Sequence, residues 1–153
     1  MKRMFARLLA VTFAALALTA HAANDHGTLV EAEAMVKKAV AFYKKNGRDK
    51  AFAELNKSPG PFVDRDIYVT VYNMEGLTLA HINPKMVGKD MIDLRDANGK
   101  YTVRERVEAA RKAATGYQDL VFFNPVSKKV EPKRVYWERQ GDLIFAAGAY
   151  NGQ

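Results

Sequence analysis

The sequence contains no cysteine among its 153 residues. This absence excludes disulfide bonds, cysteine nucleophiles, thiolate metal sites and c-type haem attachment within the chain. The fold must therefore be stabilised by its own apolar core, and a chain of this length can bury one of sufficient size. The length also fits one domain of ordinary size.

Long apolar runs are missing too, apart from one near the N-terminus. Leu8 to Ala20 is an apolar stretch of 13 residues, shorter than the roughly 20 residues that a membrane-spanning helix needs. A basic start precedes it, and the small residues of Ala20-His21-Ala22 follow it. These features predict a secretory signal peptide over residues 1–22. Residues 23–153 are then expected to form one domain in the periplasm or outside the cell, with an uncleaved anchor as the alternative.

Positive charge is in modest excess. Removing residues 1–22 takes away Lys2, Arg3 and Arg7, which leaves 21 basic residues against 17 acidic ones, a net charge of +4. The basic residues are spread along the chain without a dense cluster, so no nucleic-acid partner is expected. A mild preference for anionic small molecules or surfaces remains.

Histidine is scarce, and outside the predicted signal peptide the chain has only His26 and His81. His26 lies beside the expected new N-terminus and is predicted to be disordered. No serine has a suitable histidine partner, so no catalytic residues and no enzyme activity are expected. Asp90, Asp93 and Asp96 lack the spacing of a calcium loop, and the zinc ligand set is incomplete. We therefore expect no metal and no cofactor, and expect Asp96 to bond the backbone of its own turn.

Capping patterns predict three helices. Thr28 and Glu31 form a capping box, and apolar residues at helical spacing follow as far as Asn46-Gly47. A short second helix is expected over residues 49–56. Thr102 and Glu105 form a second capping box, which predicts a third helix. Two further features belong to that helix: an apolar stripe of Val103, Val107, Ala110 and Ala114, and Gly116 as a left-handed C-terminal cap.

Strand patterns occur on both sides of the third helix. The predicted strands are Ile67–Tyr72, Leu77–His81, Tyr117–Phe123, Lys133–Arg139 and Leu143–Tyr150. The last three have short connections, which favours antiparallel pairing. The order helix, helix, two strands, helix, three strands predicts an α+β fold with helices packed on one antiparallel sheet.

A polar loop from His81 to Lys100 separates the second strand from the third helix. Structured loops of this kind often carry binding sites. His81 is interpreted either as a ligand donor that titrates near neutral pH or as a half-buried histidine bonded to the loop backbone. Lys133 opens a strand with Trp137 on the same face, where its ammonium could meet a carboxylate in a pocket. Aromatic residues of the strands could line such a pocket.

Taken in order, these segments resemble the single Cache domain family, type 2, which are extracytoplasmic sensor modules with a PAS-like fold. The resemblance runs from about Leu29 to Tyr150 and depends on an ordered set of short motifs. The set is Tyr68-x-x-x-Tyr72, Leu79-Ala80-His81, Asn83-Pro84, Val87-Gly88-Lys89-Asp90, Asp96-x-x-Gly99, Gly116-Tyr117, Asn124-Pro125, Glu131-Pro132-Lys133-x-x-Tyr136 and Gly148-x-Tyr150.

The resemblance implies a long N-terminal helix against a five-stranded antiparallel sheet. It also implies a ligand pocket between the sheet and the loop and helix that cross it, and small organic acids as ligands. By position, Tyr68, His81 and Lys133 match ligand-contacting residues of the family. Phe122 stands where many members have tryptophan, and Tyr117 where many have another aromatic residue.

The predicted function is a periplasmic, non-catalytic sensor or carrier that binds a carboxylate of two to four carbons. Most family members are the outer part of a chemoreceptor or histidine kinase, whereas this sequence ends soon after its last strand. A membrane receptor or kinase is therefore an expected partner of a mature protein that is not itself embedded in the membrane. The alternative is an accessory interaction protein that docks to a membrane receptor or redox partner without a small ligand.

Overall fold

A computed structural model of the chain describes residues 26–150. The predicted signal peptide, residues 1–22, lies outside the described residues, as do 23–25 and 151–153. The elements follow the order α1 (Leu29–Asn46), α2 (Arg48–Leu55), β1 (Val63–Asp64), β2 (Ile67–Tyr68), β3 (Thr70–Asn73), β4 (Thr78–Ala80), α3 (Thr102–Lys112), β5 (Thr115–Phe123), β6 (Val130–Gln140) and β7 (Leu143–Tyr150).

The first capping box is present as predicted. Thr28 Oγ1 accepts the amide of Glu31 at 3.2 Å, and Glu31 Oε2 accepts the amide of Thr28 at 2.7 Å. Helix α1 ends at Gly47, whose φ of 81° is a conformation that glycine adopts without strain. Helix α2 begins at the next residue, close to the predicted start of the second helix.

The five-stranded antiparallel sheet is confirmed, with the strand order β4-β3-β7-β6-β5. Its long strands β5, β6 and β7 pair in continuous register, and the short strands β3 and β4 extend the sheet beyond β7. Strands β1 and β2 form a separate two-stranded ribbon. The single strand predicted over Ile67–Tyr72 is therefore divided: the amide of Val69 donates to Phe62 O at 3.2 Å, and the chain changes pairing partner there.

The prediction of a second capping box was wrong. Tyr101, not Thr102, is the N-cap residue of α3, and no side chain caps this end of the helix. Thr102 lies in the first turn of the helix and is buried, and its carbonyl accepts the side-chain amide of Gln118 at 3.0 Å. A tertiary contact with β5 thus decides where the helix begins.

The predicted role of Gly116 as a helix cap was also wrong. Helix α3 ends at Lys112, and Gly116 is paired in β5 opposite Trp137. A Cβ atom at residue 116 would lie 2.4 Å from Cζ2 of the Trp137 ring. The glycine is required because the indole lies against its backbone, not because of a left-handed turn.

The sheet separates two apolar clusters. Helix α1 covers one face, where Val36, Val71 and Phe145 belong to the same buried cluster. Helix α3 covers the other face, where Val107 and Ile144 belong to the second cluster. Successive residues of β7 contribute to opposite clusters, as the two-residue period of a strand requires. The pocket described below lies on the α3 face.

Asp96 braces the polar loop against the sheet. Its Oδ1 atom accepts the amides of Asn98 and Lys100, both at 2.9 Å, and its Oδ2 atom accepts the amide of Val121 at 3.0 Å. Burial alone would raise the pKa of Asp96, but these three amides together lower it below its ordinary value. The predicted turn bonding is confirmed, and the carboxylate also ties the loop to β5.

We expect Asp96→Ala to lower the free energy of unfolding by about 3 kcal/mol, because three amides lose a charged acceptor. Denaturant unfolding at neutral pH measures this loss. The matched control is Asp93→Ala, which removes an exposed carboxylate paired with Arg104 on the surface. That change should cost less than about 1 kcal/mol. Equal losses in the two variants would contradict a bracing role for Asp96.

Candidate functional site

A small cavity of about 60 Å³ lies between the sheet and the elements that cross its α3 face. Strands β2, β3, β6 and β7 form its floor, and the polar loop, α3 and β5 form its walls. The lining residues are Tyr68, Thr70, Tyr72, His81, Met86, Leu94, Thr102, Arg106, Leu120, Phe122, Lys133, Val135, Ala146, Ala147 and Gly148. Most of these side chains are apolar or aromatic, and two are cationic.

Lys133 is the first of the two cations. It lies in β6 and is only 7% exposed, because it shares the inward face of the strand with Val135. Its Nζ atom donates to Tyr150 Oη at 3.2 Å and lies 4.3 Å from the ring centroids of both Tyr68 and Tyr150. Burial lowers the pKa of Lys133 to about 7, and the charge of Arg106 adds to this lowering.

Arg106 is the second cation and is only 5% exposed. Its Nε and Nη2 atoms both donate to Oε1 of Gln118, at 3.1 and 2.9 Å. Burial lowers the pKa of Arg106. The sequence interpretation missed this residue, although its position carried a signal. Residues 103, 106, 107 and 110 follow the spacing of the apolar stripe, so Arg106 is a charge on the face that packs inward.

No carboxylate lines the cavity, and within residues 26–150 none forms an ion pair with Lys133 or Arg106. The buried Asp66 raises the pKa of Lys133 through space but is bonded elsewhere. Its oxygens accept the amide of Gly27 at 2.7 Å and the side-chain amide of Asn124 at 3.1 Å. Two buried cations that share one cavity without an acid create a site that favours an anion.

His26 takes part in the same Asp66 cluster. Its Nδ1 atom lies 2.7 Å from Asp66 Oδ2, and its side chain is largely buried. The expectation of a disordered His26 was therefore wrong. A buried acid 40 positions further along the chain anchors the residue, and local sequence does not reveal such a partner.

His81 lies at the mouth of the cavity, at the end of β4. Its Nδ1 atom accepts the amide of Asn83 at 2.9 Å, so the proton of the neutral ring is on Nε2. Its ring packs edge-on against Tyr68, with 5.5 Å between centroids. Burial, together with the charge of Lys133, lowers the pKa of His81 to about 4. At neutral pH it is therefore an uncharged hydrogen-bond donor. The ring bonds the loop backbone, as the second interpretation expects, and it also faces the cavity. It does not titrate near neutral pH, and its role as a ligand donor stays a prediction.

The structure brings four of the five predicted ligand-binding residues together. Tyr68, His81, Phe122 and Lys133 all line the cavity. Tyr117 does not line the cavity, so the prediction that it belongs to the site was wrong. It lies on the α1 face of β5, half exposed, and its hydroxyl donates to Glu33 at 2.7 Å.

The physical reason for the exclusion of Tyr117 is the register of β5. Phe122 lines the cavity, and Tyr117 lies five positions before it in the strand. Because five is an odd number, the two side chains point to opposite faces. Tyr150 is not among the lining residues but supports Lys133. Its hydroxyl accepts a hydrogen bond from Lys133 Nζ and donates one to Phe123 O at 2.8 Å. Burial raises the pKa of Tyr150, so its hydroxyl stays protonated.

Asp90 and Asp93 of the polar loop contact groups of the protein itself and do not face the cavity. Asp93 pairs with Arg104, and Asp90 Oδ1 accepts the amide of Ile92 at 2.9 Å. Within the described residues, no group of three histidine or acidic side chains is arranged to hold a metal ion. The two cations and the apolar lining give the cavity an environment that favours a small anion.

A family model for the single Cache domain 2 matches residues 5–140. The chain belongs to this family. The matched range begins inside the predicted signal peptide and extends to the end of β6. Single Cache domains are extracytoplasmic sensors, so this Cache domain is a sensor module. No curated protein is significantly similar to the sequence.

Three solved sensor domains share the fold. A methyl-accepting chemotaxis protein from Vibrio parahaemolyticus RIMD 2210633 is 22% identical with a TM-score of 0.67, over 79% of this chain and 86% of the other. A periplasmic sensor domain of a chemotaxis protein is 22% identical with a TM-score of 0.61, over 80% and 90%. A Cache chemosensory domain described as recognising carboxylic acids is 17% identical with a TM-score of 0.62, over 80% and 88%.

In this Cache domain, no helix within residues 26–150 combines the length and apolar character that crossing a bilayer requires.

We expect the buried charge of Lys133 to appear in the pH dependence of stability. Its folded pKa of about 7 lies below the ordinary lysine value, so between these two values the unfolded chain binds more protons. Stability then rises with pH. Between pH 7 and pH 9 the ligand-free wild type should gain about 2 kcal/mol relative to Lys133→Met.

Denaturant unfolding of extensively dialysed protein at several pH values measures this difference. The control is Lys112→Met, which removes an exposed lysine at the end of α3 and should leave the pH profile parallel to that of the wild type. Parallel profiles for Lys133→Met and the wild type would contradict a buried, shifted Lys133.

Proposed function

We propose that this Cache domain is a periplasmic, non-catalytic sensor or carrier that binds a small carboxylate of two to four carbons. The observation that carries the proposal is the pair of buried cations, Lys133 and Arg106, which line one cavity without an acid beside them. The proposal includes export through the signal peptide over residues 1–22, with residues 23–153 as the mature ligand-binding domain.

The electrostatics of the pocket support an anionic ligand. A buried ammonium or guanidinium without a counter-charge destabilises the fold, because water solvates it better than the protein does. A carboxylate that entered the cavity would form charge-assisted hydrogen bonds with these groups, which are stronger than neutral ones. Ligand binding would then stabilise the folded state by mass action.

The size and lining of the cavity support a short ligand. A water-sized group needs at least about 10–15 Å³, so a cavity of about 60 Å³ holds a ligand of a few non-hydrogen atoms. Leu94, Leu120 and Val135 provide apolar contacts for a short aliphatic tail. In this arrangement Phe122 bounds the tail, Lys133 and Arg106 hold the carboxylate, and His81 donates from Nε2.

The carboxylic-acid recognition described for one of the similar Cache domains supports the same ligand class by analogy. At 17% identity the shared fold does not transfer the ligand. The proposal for this chain therefore depends on its own two cations.

We expect short carboxylates to raise the melting temperature of the dialysed protein. A thermal-shift series of acetate, propionate, lactate, pyruvate and succinate tests this, with propionamide as the uncharged control for propionate. At a ligand concentration near 100 times Kd, stabilisation is about 2.7 kcal/mol, a shift of several degrees. A shift with the amide equal to that with the acid would contradict charge recognition.

We expect Lys133→Met and Arg106→Met each to weaken carboxylate binding by at least about 30-fold, because each removes a buried charged partner of the ligand. Titration calorimetry with the most stabilising acid measures the change. The matched controls are Lys112→Met and Arg111→Met, which change exposed residues in the last turn of α3 and should bind as the wild type does. Wild-type affinity in both pocket variants would contradict the proposed site.

We expect carboxylate affinity to fall as pH rises above about 7. The free protein loses the proton of Lys133 with a pKa of about 7, whereas the bound carboxylate requires it, so affinity should fall up to tenfold per pH unit. Calorimetry at pH 6 to 9.5, in buffers of different ionisation enthalpy, measures both the affinity and the proton uptake. Constant affinity over this range would exclude Lys133 as the charged partner.

A further inference from the structure

The hairpin that joins β5 to β6 ends in an exposed apolar tip. We define the hairpin tip as residues 123–130. Within it Phe123 is 49% exposed, Val126 44% and Val130 57%. Phe123 and Val130 are directly opposite each other in the register of β5 and β6, so their side chains share one face. Three exposed large apolar side chains at one turn form a patch of the kind that marks an interaction surface.

The conformation of the hairpin tip is held from below by Asn124, which is fully buried. Its Oδ1 atom accepts a hydrogen bond from the backbone amide of Val126 at 2.9 Å, and its own backbone amide donates to Lys129 O at 2.7 Å. Its Nδ2 atom donates to Glu131 at 2.8 Å and to Asp66 at 3.1 Å. The exposed apolar side chains are therefore presented on a well-bonded turn.

Both ends of the described chain lie beside the hairpin tip. Asp66, which is bonded to Asn124, also holds His26 and the amide of Gly27. The Tyr150 hydroxyl donates to Phe123 O. Five residues separate His26 from the apolar run that ends at Ala20, which is at most about 20 Å of extended chain. Before the proposed signal peptide is cleaved, its entry into the membrane through this run would therefore bring the tip close to the lipid surface.

The charges at the hairpin tip favour an anionic surface. Lys128 and Lys129 are both exposed, and within residues 26–150 neither forms an ion pair. The neighbouring acid, Glu131, directs its carboxylate inward to Asn124. Apolar side chains flanked by free lysines are the combination that binds the interface of an anionic bilayer.

We propose that the hairpin tip docks this Cache domain onto an anionic lipid surface. Phe123, Val126 and Val130 enter the headgroup boundary, while Lys128 and Lys129 bind the lipid phosphates. Docking would place this end of the sheet, with both ends of the described residues, against the membrane. The opposite end, with the turn between β6 and β7, would point away from it.

The absence of cysteine makes a direct test possible. In the full chain, Val126→Cys provides a unique thiol for an environment-sensitive fluorophore. The matched control is Asp142→Cys, an exposed position in the turn at the other end of β6, about 30 Å away along an 11-residue strand. Both labelled proteins carry the same N-terminal segment, so a difference between them reports on orientation.

With vesicles of phosphatidylcholine and phosphatidylglycerol, the label at residue 126 should shift its emission to shorter wavelength, and the label at residue 142 should not. Vesicles of phosphatidylcholine alone should give a much smaller response. Adding Lys128→Gln and Lys129→Gln should weaken the anionic response by about 25-fold, or about fivefold per lysine.

Three results with vesicles would overturn the proposal. These are no response at residue 126 with anionic vesicles, an equal response at residues 126 and 142, or an equal response to anionic and neutral vesicles. An emission shift that depends on protein concentration without vesicles would instead show that a second copy of the chain covers the tip, and would also overturn it.

Discussion

The continuous pairing of β6 with β5 and β7 is the constraint on which the rest of this structure depends. Because side chains of a strand alternate between faces, this register directs Tyr136 towards α1 and directs Lys133, Val135 and Trp137 towards α3. A shift of one residue would exchange these sets and move the buried lysine out of the cavity. Gly116 belongs to the same constraint, since it leaves room for the Trp137 ring.

The pocket combines apolar walls with two cations, and this combination lowers the stability of the ligand-free fold. Lys133 is bonded to a tyrosine hydroxyl and packs against two aromatic rings, while Arg106 is bonded to a neutral amide. Neither contact supplies a negative charge, so the ligand-free fold retains a desolvation cost that an anion would offset. The same contacts connect the pocket to the rest of the domain: Lys133 bonds Tyr150, whose hydroxyl bonds the backbone at Phe123.

Sequence features were sufficient to predict the helices and strands whose signals come from neighbouring residues. The helices and the five-stranded sheet are predicted by the capping box at Thr28, by the alternating strands and by the turns between them. Each of these signals depends on residues close together in the chain. The ordered motifs also identified the family and placed Tyr68, His81, Phe122 and Lys133 in one site. Of the polar loop, the turn bonding of Asp96 was predictable for the same local reason.

Only the tertiary structure decided the features that depend on a distant partner. Arg106 becomes a pocket residue because α3 turns its inner stripe towards Lys133. Its helical spacing indicates an inward-facing charge, but only the packing of α3 on the sheet places that charge in the same cavity as Lys133. Tyr117 leaves the site because the register of β5 sends it to the α1 face. His26 is held in place because Asp66, a buried acid 40 positions further along the chain, lies within hydrogen-bonding distance of its ring nitrogen. Local sequence thus determined the elements, and the family motifs named four of the residues that line the cavity. Strand register and long-range packing decided which charges lie together inside it.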